Sequence, residues 1–403
     1  MKILFLHNLA EPAKGGGGEV IVWEQMRALK DKGHECILLT TSEKPGLERI
    51  EKEGITIWQA GIKNIYWPFH KKRPSTPLRL VWHTLDIYNP WMQDFLRKIV
   101  AVEKPDITSI HALQGWSSAS WKMLSRLGVP SVQILHGYES ICVNSSMYKN
   151  GHNCTAQCAR CHTFRLPHRK LSQHLQAVVG VSRYILEKHL SLGYFKNVPI
   201  QRVIHNARSP KSLNIDIAQS PTPHQGTRFG FIGRLHPTKG ISLLIEAFLA
   251  VDLSDTELLI AGSGKEQYEV QLHSQVHSAR IQLLGRVTPR DFYPQVDVVV
   301  VPSLWNDNLP GVVFEALAFG KPVIASRRGG IPEMIRHGEN GLLFEPDSPG
   351  ELESALIAMH DDNLRAKLTA KARPSSLPFT DIDRWVSTYE ALYQEVIAAN
   401  KRG

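Results

Sequence analysis

The chain has 403 residues, of which 42% are hydrophobic and 21% are charged. This is the composition of a globular protein long enough for two domains, so it excludes a disordered, a collagenous and a small disulfide-stabilised chain. The net charge is +9, and residues 1–205 hold 27 Lys and Arg against 15 Asp and Glu, whereas the other residues hold 20 against 23. A basic first half fits a nucleic acid, an anionic membrane surface or a phosphorylated small molecule, and charge alone does not choose among them.

The start of the chain predicts a strand and not an export signal. No apolar run approaches the roughly 18 residues that span a bilayer, and the run Ile3–Leu6 is interrupted by His7 and Asn8. Five cysteines without an export signal predict a reducing, cytoplasmic compartment. In that compartment clustered thiols serve a metal or a reaction more often than a disulfide.

The first half alternates short β-branched runs with helical patterns. We predict strands at Ile3–His7, Cys36–Thr40, Ile55–Trp58, Ile107–Ile110, Ser131–Leu135, Ala177–Val181 and Ile200–Ile204. We predict helices at about Glu19–Lys32, at Leu78–Glu103, after Gln114 and up to about Leu190. Strands that alternate with helices at this spacing predict βαβ units and a parallel sheet covered on both faces.

The second half repeats this rhythm after a break. Residues 206–227 contain three prolines with several Ser and Gln, and they are predicted to be an interdomain linker. The predicted strands are Phe229–Ile232, Leu258–Ala261, Ile281–Leu284, Val296–Val301, Pro322–Ala325 and Leu342–Phe344, and helices are predicted near Gly240, Lys265, Gly311, Pro349 and at Asp381–Asn400. The predicted fold is α/β, with two doubly wound Rossmann-like domains at 1–205 and 228–375 and a C-terminal segment at 376–403.

Doubly wound domains bind ligands at the carboxyl ends of their strands, so the loops after strands are candidate sites. After the first strand, Gly15–Gly18 precede Glu19 and a helix. Glycines let the backbone approach a ligand closely, and the N–H groups at a helix start favour an anion. The run lacks the GxGxxG pattern, which disfavours a dinucleotide, and a flexible turn is the alternative interpretation.

Two cations lie in the loop that opens the second domain. Arg234 and Lys239 are five residues apart, between the strand Phe229–Ile232 and the helix near Gly240. At the end of a strand, beside a helix N-terminus, the guanidinium can bind a diphosphate as a fork and the ammonium as a point charge. Either residue alone would more often be a solvated surface cation, so the prediction depends on the pair.

A pair of carboxylates follows the strand Val298–Val301. Asp307 lies in the next loop, and Glu315 lies eight residues later on the helix that begins near Gly311. Two carboxylates in this arrangement suit sugar hydroxyls, because a carboxylate only accepts hydrogen bonds and a hydroxyl can donate one. A helix cap for Asp307 and a solvated Glu315 are the alternative, which the flanking Pro-Ser and Glu-Ala-Leu-Ala-Phe-Gly-Lys-Pro-Val segments disfavour.

Together these motifs resemble glycosyltransferase family 4, whose members are retaining enzymes of GT-B fold. The resemblance implies that the C-terminal helix at Asp381–Asn400 crosses back to the first domain. The resemblance rests on the glycine-rich loop, Gly-Arg-x4-Lys-Gly at 233–240, Ala261–Gly264, Gly285–Val287 and the acid-x7-Glu-Ala pattern at 307–316. The donor residues that it implies are Arg234, Lys239, Gly17 and Gly18 for the diphosphate, Glu315 for the ribose, Asp307 with the backbone of Asn308, Leu309, Pro310 and Gly311 for the sugar, and Gly262, Arg286 and Val287 for the nucleoside.

The resemblance extends to the catalytic residues, which it gives as His136, Asp307 and Glu315. His136 follows a first-domain strand and matches the family's His that faces the reacting sugar, and a structural hydrogen-bonding His is the alternative. The family commonly has Glu where this chain has Asp307. Because Asp is shorter by one methylene group, the identity of the donor sugar stays open.

The resemblance also implies a mechanism, in which the sugar is transferred with retention through front-face attack in an ion-pair-like transition state. The leaving diphosphate gains charge as its bond breaks, so fixed donors such as Arg234 and Lys239 would stabilise the transition state more than the ground state. Catalysis is then expected to need no divalent metal and no other cofactor. The pattern Asp381-x-Asp383 is predicted to cap the last helix and not to bind a metal.

Four cysteines form a cluster in a predicted insertion at about 138–166. They are Cys142, Cys154, Cys158 and Cys161. Four thiols can close a tetrahedral zinc site, which would be structural and would hold a segment that has few apolar residues. An iron–sulfur cluster and free thiols are the alternatives, because the spacings only partly resemble those of zinc ribbons.

Basic and aromatic residues of the first half are a candidate surface for a membrane-borne acceptor, such as a lipid-linked saccharide. They are Arg160, Arg165, His168, Arg169 and Lys170, with Lys71, Lys72 and Arg73 among Trp67, Trp82 and Trp91. An ordinary solvated face is the alternative. The first interpretation predicts a cytoplasmic protein at the inner face of the plasma membrane.

The sequence therefore predicts a hexosyltransferase that uses a nucleotide-sugar donor and a saccharide or lipid-linked saccharide acceptor in the synthesis of lipopolysaccharide, capsule or exopolysaccharide. A nucleotide-sugar 2-epimerase shares the two-domain fold, but the cation pair with the acid pair favours transfer. A zinc-stabilised nucleic-acid-binding protein would explain the basic half and the cysteines. It leaves the glycine loop and the acid pair unexplained, and the chain shows no recognition-module signature, so no nucleic-acid partner is expected.

Overall fold

The structure of the chain is a computed structural model that describes residues 1–9, 17–69, 74–215, 222–251, 253 and 255–401. The chain forms two compact units. The first unit holds Met1–Met147, Cys154–Asn206 and Ile382–Gly403, and the second holds Tyr148–Asn153 and Ala207–Asp381. Six residues of the cysteine-bearing segment thus belong to the second unit, as do Ala207 and the described residues of the predicted linker that follow it.

Strands and helices alternate through both units. In chain order the strands are β1 (Lys2–Leu6), β2 (Glu35–Ser42), β3 (Leu47–Lys52), β4 (Ile55–Gly61), β5 (Ile107–Ile110), β6 (Ser131–Leu135), β7 (Tyr148–Lys149), β8 (His152–Asn153), β9 (Ala177–Gly180), β10 (Ile200–Val203), β11 (Thr227–Ile232), β12 (Thr256–Ala261), β13 (Ile281–Gly285), β14 (Val298–Val301), β15 (Val323–Ser326) and β16 (Gly341–Phe344). The α-helices are α1 (Gly17–Asp31), α2 (Thr76–Ile87), α3 (Gln93–Glu103), α4 (Ala119–Arg126), α5 (Ala159–Leu171), α6 (Arg183–Ser191), α7 (Ile241–Ala250), α8 (Glu266–Gln275), α9 (Pro289–Phe292), α10 (Gly311–Ala318), α11 (Glu351–His360), α12 (Asp362–Thr380) and α13 (Ile382–Asn400). The predicted α/β fold class is confirmed.

The first unit is built on an eight-stranded sheet with the order β10-β9-β6-β5-β1-β2-β4-β3. Its strands pair in parallel, apart from the antiparallel edge strand β3. The central strands β5, β6 and β9 are buried along their whole length, as expected when helices cover both faces of a parallel sheet. The chain order reverses at β1, so the loops after β1 and β5 flank the point at which doubly wound sheets bind ligands.

The second unit is built on a six-stranded parallel sheet with the order β13-β12-β11-β14-β15-β16. Counted within the unit, this is the 3-2-1-4-5-6 order of the Rossmann fold. Its core joins residues such as Phe229 of β11, Phe248 of α7 and Leu356 of α11. The order reverses between β11 and β14, so the loops after these two strands meet at the expected ligand-binding edge.

The last helix completes the core of the first unit. α13 buries Trp385, Val386, Tyr389, Leu392, Tyr393 and Val396, which recur at intervals of one or three residues along one helix face. It packs against α1, and the exposed end of this contact includes an ion pair between Lys32 and Glu390 at 3.5 Å. Most of the stabilisation comes from the apolar face, because such partly exposed ion pairs contribute little.

The predicted helix Leu78–Glu103 is wrong, because the segment forms α2 and α3 with a break at residues 88–92. Pro90 lacks the backbone N–H that a continuous helix needs. The Asn89 side chain accepts hydrogen bonds from the backbone N–H groups of Trp91 and Met92 at 3.2 and 3.3 Å. These bonds close a turn directly before α3, which begins at Gln93, so the chain forms a turn between the two helices.

Six further elements were not predicted, namely β3, β7, β8, α5, α9 and α12. β3 is exposed on most of its residues and carries four charged side chains, so it lacks the apolar alternation of a half-buried strand. α12 contains Pro374 and Pro378. Prolines normally end a helix, so tertiary packing against α10 outweighs the local preference there.

The loop after β15 supports the loop after β14 through a contact that only a glycine permits. Gly329 has a φ of +57°, and a Cβ atom there would lie 1.9 Å from the carbonyl oxygen of Asp307. The N–H of Gly330 donates to the same oxygen at 2.8 Å. The loop after β15 therefore fixes the position of the Asp307 backbone.

We predict that Gly329→Ala lowers the unfolding temperature of the second unit more than Gly338→Ala does. Gly338 also has a positive φ, of +79°, but nothing lies within 4 Å of a Cβ atom there, so this control costs only backbone strain of about 1 kcal/mol. Gly329→Ala adds a clash with backbone, for a total of at least about 2 kcal/mol. Calorimetry measures both, and equal losses would contradict the close contact.

Candidate functional site

The loop after β11 carries the two cations that the sequence predicts. A 3-10 helix, Pro237–Lys239, follows β11, and His236 caps it by accepting from the backbone N–H of Thr238 at 3.3 Å. Lys239 forms an ion pair with the carboxylate of Asp307, and its Nζ lies 5.5 Å from the centre of the Trp305 ring. Arg234 is exposed and has no ion pair within the described part of the chain.

The loop after β14 is fixed from two sides. The N–H of Leu304 donates to the carbonyl of Thr238 at 2.9 Å, which ties this loop to the loop after β11. Asn153 of the β7–β8 hairpin donates from Nδ2 to the carbonyl of Leu304 and accepts from the N–H of Asn306, both at 2.8 Å. Asp307, which follows directly, is only 7% exposed. The sequence analysis missed Asn153, whose neighbours in the chain had suggested a zinc-binding segment.

Glu315 lies in the second turn of α10 and is 8% exposed. Its carboxylate accepts from Nη1 of Arg208 at 2.6 Å. The backbone N–H of Arg208 donates to the carbonyl of Phe379 in α12 at 3.0 Å, which positions the cation. Arg208 was missed because it lies in the segment predicted to be a linker, 107 residues before its partner.

Each buried carboxylate of this second-unit site thus has one cation. Lys239 compensates Asp307, Arg208 compensates Glu315, and Arg234 adds a positive charge that no ion pair offsets in the described residues. A bound diphosphate would compete with Asp307 for Lys239. The arrangement can accommodate an anion beside Arg234 and Lys239, and hydroxyl groups beside the two carboxylates.

The other predicted donor residues lie at the same edge of the second sheet. The N–H of Gly262, after β12, donates to the carbonyl of Gly285 at 2.7 Å, and Nε of Arg286 donates to Oγ of Ser263 at 2.6 Å. Val287 follows, half-buried. Asn308, Leu309 and Pro310 are buried and lead into α10, whose first residue is Gly311 and whose N-terminus has no side-chain cap. The second unit therefore places the residues between 234 and 315 that were predicted to bind the nucleotide sugar at one edge of its sheet.

The first unit contains a cavity of about 280 Å³ that His136 lines. Its wall includes His7, Gly18, His111, His136, Tyr138 and Glu139. Gly17 and Gly18 form the first turn of α1, and Gly15 and Gly16 lie outside the described residues. None of the described residues that line the cavity is Lys or Arg, so the basic excess of this half of the chain is not concentrated there.

Burial controls the charges of this cavity. It lowers the pKa of His111 and of His136 well below the ordinary value, so both imidazoles are neutral at pH 7. It raises the pKa of Glu139 to about 7, and this carboxyl group accepts from the N–H of Leu113 at 3.0 Å. Nδ1 of His111 lies 2.9 Å from Nε2 of His136. The cavity is therefore polar, with neutral imidazoles beside the carboxyl groups of Glu19 and Glu139, and it is suited to hydroxyl groups.

The structure brings the four cysteines together only in part. The Sγ atoms of Cys142 and Cys161 are 4.0 Å apart, near the separation of about 3.8 Å that two thiolates have in a tetrahedral zinc site. Hydrogen bonding from Cys161 and from backbone N–H groups lowers the pKa of Cys142 to about 5. In the described ranges, however, no group of three or more His, Cys, Asp or Glu side chains is arranged to hold a metal ion. The zinc site with Cys154 and Cys158 stays a prediction.

The predicted basic and aromatic surface needs correction. Trp82 is only 1% exposed and donates from Nε1 to the carbonyl of Tyr66 at 2.9 Å, so it belongs to the core. His168 is buried against Trp121, and Nε of Arg165 is enclosed. The exposed members are Trp91, Arg160, Arg169 and Lys170, Trp67 is half-buried, and Lys71, Lys72 and Arg73 lie outside the described residues. No helix among the described residues is apolar over a length that would cross a membrane.

Comparison with known families identifies glycosyltransferase models that match most of the chain. A family model described as Glycosyltransferase Family 4 matches residues 15–210, and one described as Glycosyl transferases group 1 matches residues 226–362. A Klebsiella pneumoniae protein described as an uncharacterized 42.6 kDa protein in the cps region is 29% identical over 336 residues, which are 83% of this chain and 88% of that protein. The N-acetyl-alpha-D-glucosaminyl L-malate synthase of Bacillus anthracis is 30% identical over 43% of this chain and 46% of its own length.

Solved structures show the same fold. Sucrose-phosphate synthase from Thermosynechococcus elongatus has a TM-score of 0.75 at 19% identity, with 99% of both chains covered. The Anabaena protein HepE in complex with UDP has a TM-score of 0.72 at 17% identity, with 97% of this chain and 100% of that chain covered. The fold and the site define a glycosyltransferase of GT-B fold. The chain belongs to the family 4 and group 1 glycosyltransferases, as its motifs predicted.

We predict that Arg208→Met destabilises the second unit because Glu315 keeps a nearly buried charge without its cation. The expected loss is about 2 kcal/mol, below the roughly 3–5 kcal/mol of fully buried pairs, since the Arg208 side chain is 19% exposed. Adding Glu315→Gln should restore most of the loss. The control is Arg202→Met, which removes an exposed pair with Glu395 and should cost less than about 1 kcal/mol.

Denaturant unfolding of these variants measures the free energies. A loss for Arg208→Met no larger than that for Arg202→Met would contradict the proposed charge compensation.

Proposed function

We propose that this glycosyltransferase moves a hexose from a nucleoside-diphosphate sugar to a saccharide or lipid-linked saccharide, with retention of the anomeric configuration and in surface-glycan synthesis. One observation carries the proposal. Two nearly buried carboxylates, Asp307 and Glu315, lie with the cations Lys239 and Arg208 at the switch point between β11 and β14. Doubly wound sheets bind ligands at this point, and the donor set matches a diphosphate next to hydroxyl groups.

Each part of the donor has a group of suitable chemistry in the second unit. Arg234 and Lys239 bind the diphosphate, and the acceptor-only carboxylate of Glu315 binds the ribose hydroxyls. Asp307, with the backbone at 308–311, binds hydroxyls of the sugar. Gly262, Arg286 and Val287 border the nucleoside. Because Arg208 neutralises Glu315, the ribose site adds little repulsion against the phosphates.

The proposed reaction exchanges one bond at the anomeric carbon for another on the same face. The bond to the diphosphate oxygen breaks, the acceptor hydroxyl forms the new bond, and its proton passes to the leaving phosphate. Negative charge grows on the diphosphate as its bond breaks, and cations held in place stabilise this charge in the transition state. Arg234 and Lys239 supply two such charges, so we propose transfer that needs no divalent metal.

In the proposed reaction the acceptor binds in the first unit. The cavity at His136 offers neutral imidazoles and the carboxyl group of Glu139, which suit a hydroxyl-bearing sugar. The similarity to a Klebsiella protein in a cps region supports a role in surface-glycan synthesis. The UDP complex of HepE, a protein of the same fold, makes UDP-sugars the first donors to test.

We predict that UDP, GDP or ADP binds the protein and that Lys239→Met weakens the binding at least tenfold. The variant removes a phosphate-binding charge and leaves Asp307 without compensation, so repulsion adds to the loss. The control is Lys367→Met, an exposed lysine of α12 that should leave the affinity unchanged. Calorimetric titration gives the affinities, and equal affinities for both variants would contradict the assignment of Lys239.

We also propose that the first unit binds an anionic membrane surface around α2. Six of the twelve exposed large apolar side chains in the described residues lie between residues 65 and 91, namely Ile65, Leu78, Leu80, Val81, Tyr88 and Trp91. The sequence from 60 to 100 carries seven Lys and Arg against two Asp. One of the two acids, Asp86, is buried. Apolar and aromatic side chains among cations suit the interface of an anionic bilayer, where a lipid-linked acceptor would lie.

We predict that the protein cosediments with vesicles of phosphatidylglycerol and phosphatidylcholine more than with phosphatidylcholine alone, and that Leu78→Ser with Val81→Ser reduces this binding several-fold. The loss follows from the apolar area that no longer enters the bilayer. The matched control, Val270→Ser with Ile357→Ser, changes two equally exposed apolar residues of the second unit and should bind like the unaltered protein. Equal binding of the two double variants would contradict the surface.

A further inference from the structure

A row of hydrogen-bonded side chains runs from the last helix to His136 within the first unit. Nε2 of Gln25 donates to the hydroxyl of Tyr393 at 3.2 Å, and that hydroxyl donates to Oγ of Ser109 at 2.8 Å. Oγ of Ser109 lies 2.9 Å from Nε2 of His111, and Nδ1 of His111 lies 2.9 Å from Nε2 of His136. The row joins α1, α13, β5 and the loops after β5 and β6.

The number of hydrogens sets the direction of this row. Tyr393 has one hydroxyl hydrogen, which goes to Ser109, so Ser109 accepts there and has its own hydrogen to donate. When Ser109 donates to Nε2 of His111, the neutral His111 carries its hydrogen on Nδ1 and donates it to His136. Nε2 of His136 is then an acceptor, and the hydrogen of the neutral His136 ring must be on Nδ1.

The surroundings favour this single arrangement. Gln25, Ser109, His111 and Tyr393 are all buried, so water does not compete for their hydrogen bonds. The rings of His111 and His136 are stacked, with centroids 5.2 Å apart, and His111 also stacks on Phe5 of β1 at 5.6 Å. Burial and the neighbouring His7 lower the pKa of both imidazoles, so both rings are more stable when they are neutral. Packing and hydrogen bonding therefore restrict both the ring orientations and the hydrogens.

We propose that His111, Ser109 and Tyr393 are positioning residues that hold His136 as the neutral tautomer with hydrogen on Nδ1. The inference rests on the proposed function, in which His136 faces the reacting sugar. In this tautomer Nδ1 of His136 carries a hydrogen and cannot take a proton, and Nε2 accepts from His111. His136 therefore does not act as the base, and the proton of the acceptor hydroxyl goes to the leaving phosphate. α13 thus contributes to the site through Tyr393, although it follows the donor-binding unit in the chain.

Nitrogen NMR of the protein with 15N-labelled histidine tests the tautomer of His136 in the absence of any nucleotide sugar. The His136 signals are assigned by their absence in His136→Gln. We expect a protonated Nδ1 and an unprotonated Nε2 for His136 in the unaltered protein. Ser109→Ala removes the donor to His111, so its His136 signals should shift towards a mixture of the two tautomers, and Tyr393→Phe should cause a smaller shift in the same direction.

The matched control is Tyr389→Phe, which removes a tyrosine hydroxyl one turn earlier on α13 and should leave the His136 signals unchanged. Hydrolysis of the nucleotide sugar that the protein accepts supplies a second readout, in which Ser109→Ala should lower kcat about tenfold with little change in KM. A proton on Nε2 of His136 in the unaltered protein, or unchanged signals in both Ser109→Ala and Tyr393→Phe, would overturn the proposal. If the NMR signals are as expected but the protein binds and hydrolyses no nucleotide sugar, the tautomer assignment is supported and the proposed function is refuted.

Discussion

The second unit depends on the compensation of two carboxylates that its fold nearly buries. A carboxylate taken out of water is strongly destabilised unless a cation and hydrogen bonds replace its hydration. The sheet order that puts β11 beside β14 brings Lys239 to Asp307, and the segment that leads into the sheet brings Arg208 to Glu315. In the proposed function, the two acids accept hydrogen bonds from hydroxyl groups in a region that also binds phosphates.

The supporting contacts serve the same purpose. Asn153 binds the loop after β14 with both ends of its amide, and Gly329 allows the loop after β15 to approach the carbonyl of Asp307. A site held by fixed dipoles and cations does not have to reorganise when charge develops on a leaving group, which is the main electrostatic source of rate enhancement in enzymes. In the proposed function, the rigid surroundings of Asp307 therefore contribute to catalysis as well as to the structure.

Much of this organisation could be predicted from the sequence, because the relevant signals are local. The strands of the second sheet, the cations after β11 and the acids after β14 all follow from short apolar runs and the residues that end them. The contacts of Arg208 and Asn153, and the row of hydrogen bonds through Ser109 and Tyr393, could not be predicted. Their partners lie 107 to 284 residues away, and only the folded chain brings them together.

The structure also changes how the basic first half is interpreted. Its charge suggested an anionic ligand throughout, but the cavity at His136 is lined by neutral histidines and, in its described residues, by no Lys or Arg. Trp82 and His168 proved to be core residues, since apolar packing and hydrogen bonds enclose them. The remaining exposed cations and the apolar side chains around α2 support the proposed binding to an anionic membrane, which is separate from the proposed acceptor site at the cavity.

The most direct test of the account is turnover of a panel of UDP-, GDP- and ADP-sugars, followed by the release of the nucleoside diphosphate. The account predicts that the protein hydrolyses the sugars of at least one base, and that Glu315→Gln slows this reaction at least tenfold, as expected for the loss of about one charged hydrogen bond. If no nucleotide sugar is hydrolysed, or if Glu315→Gln turns over as fast as the unaltered protein, the central claim is contradicted.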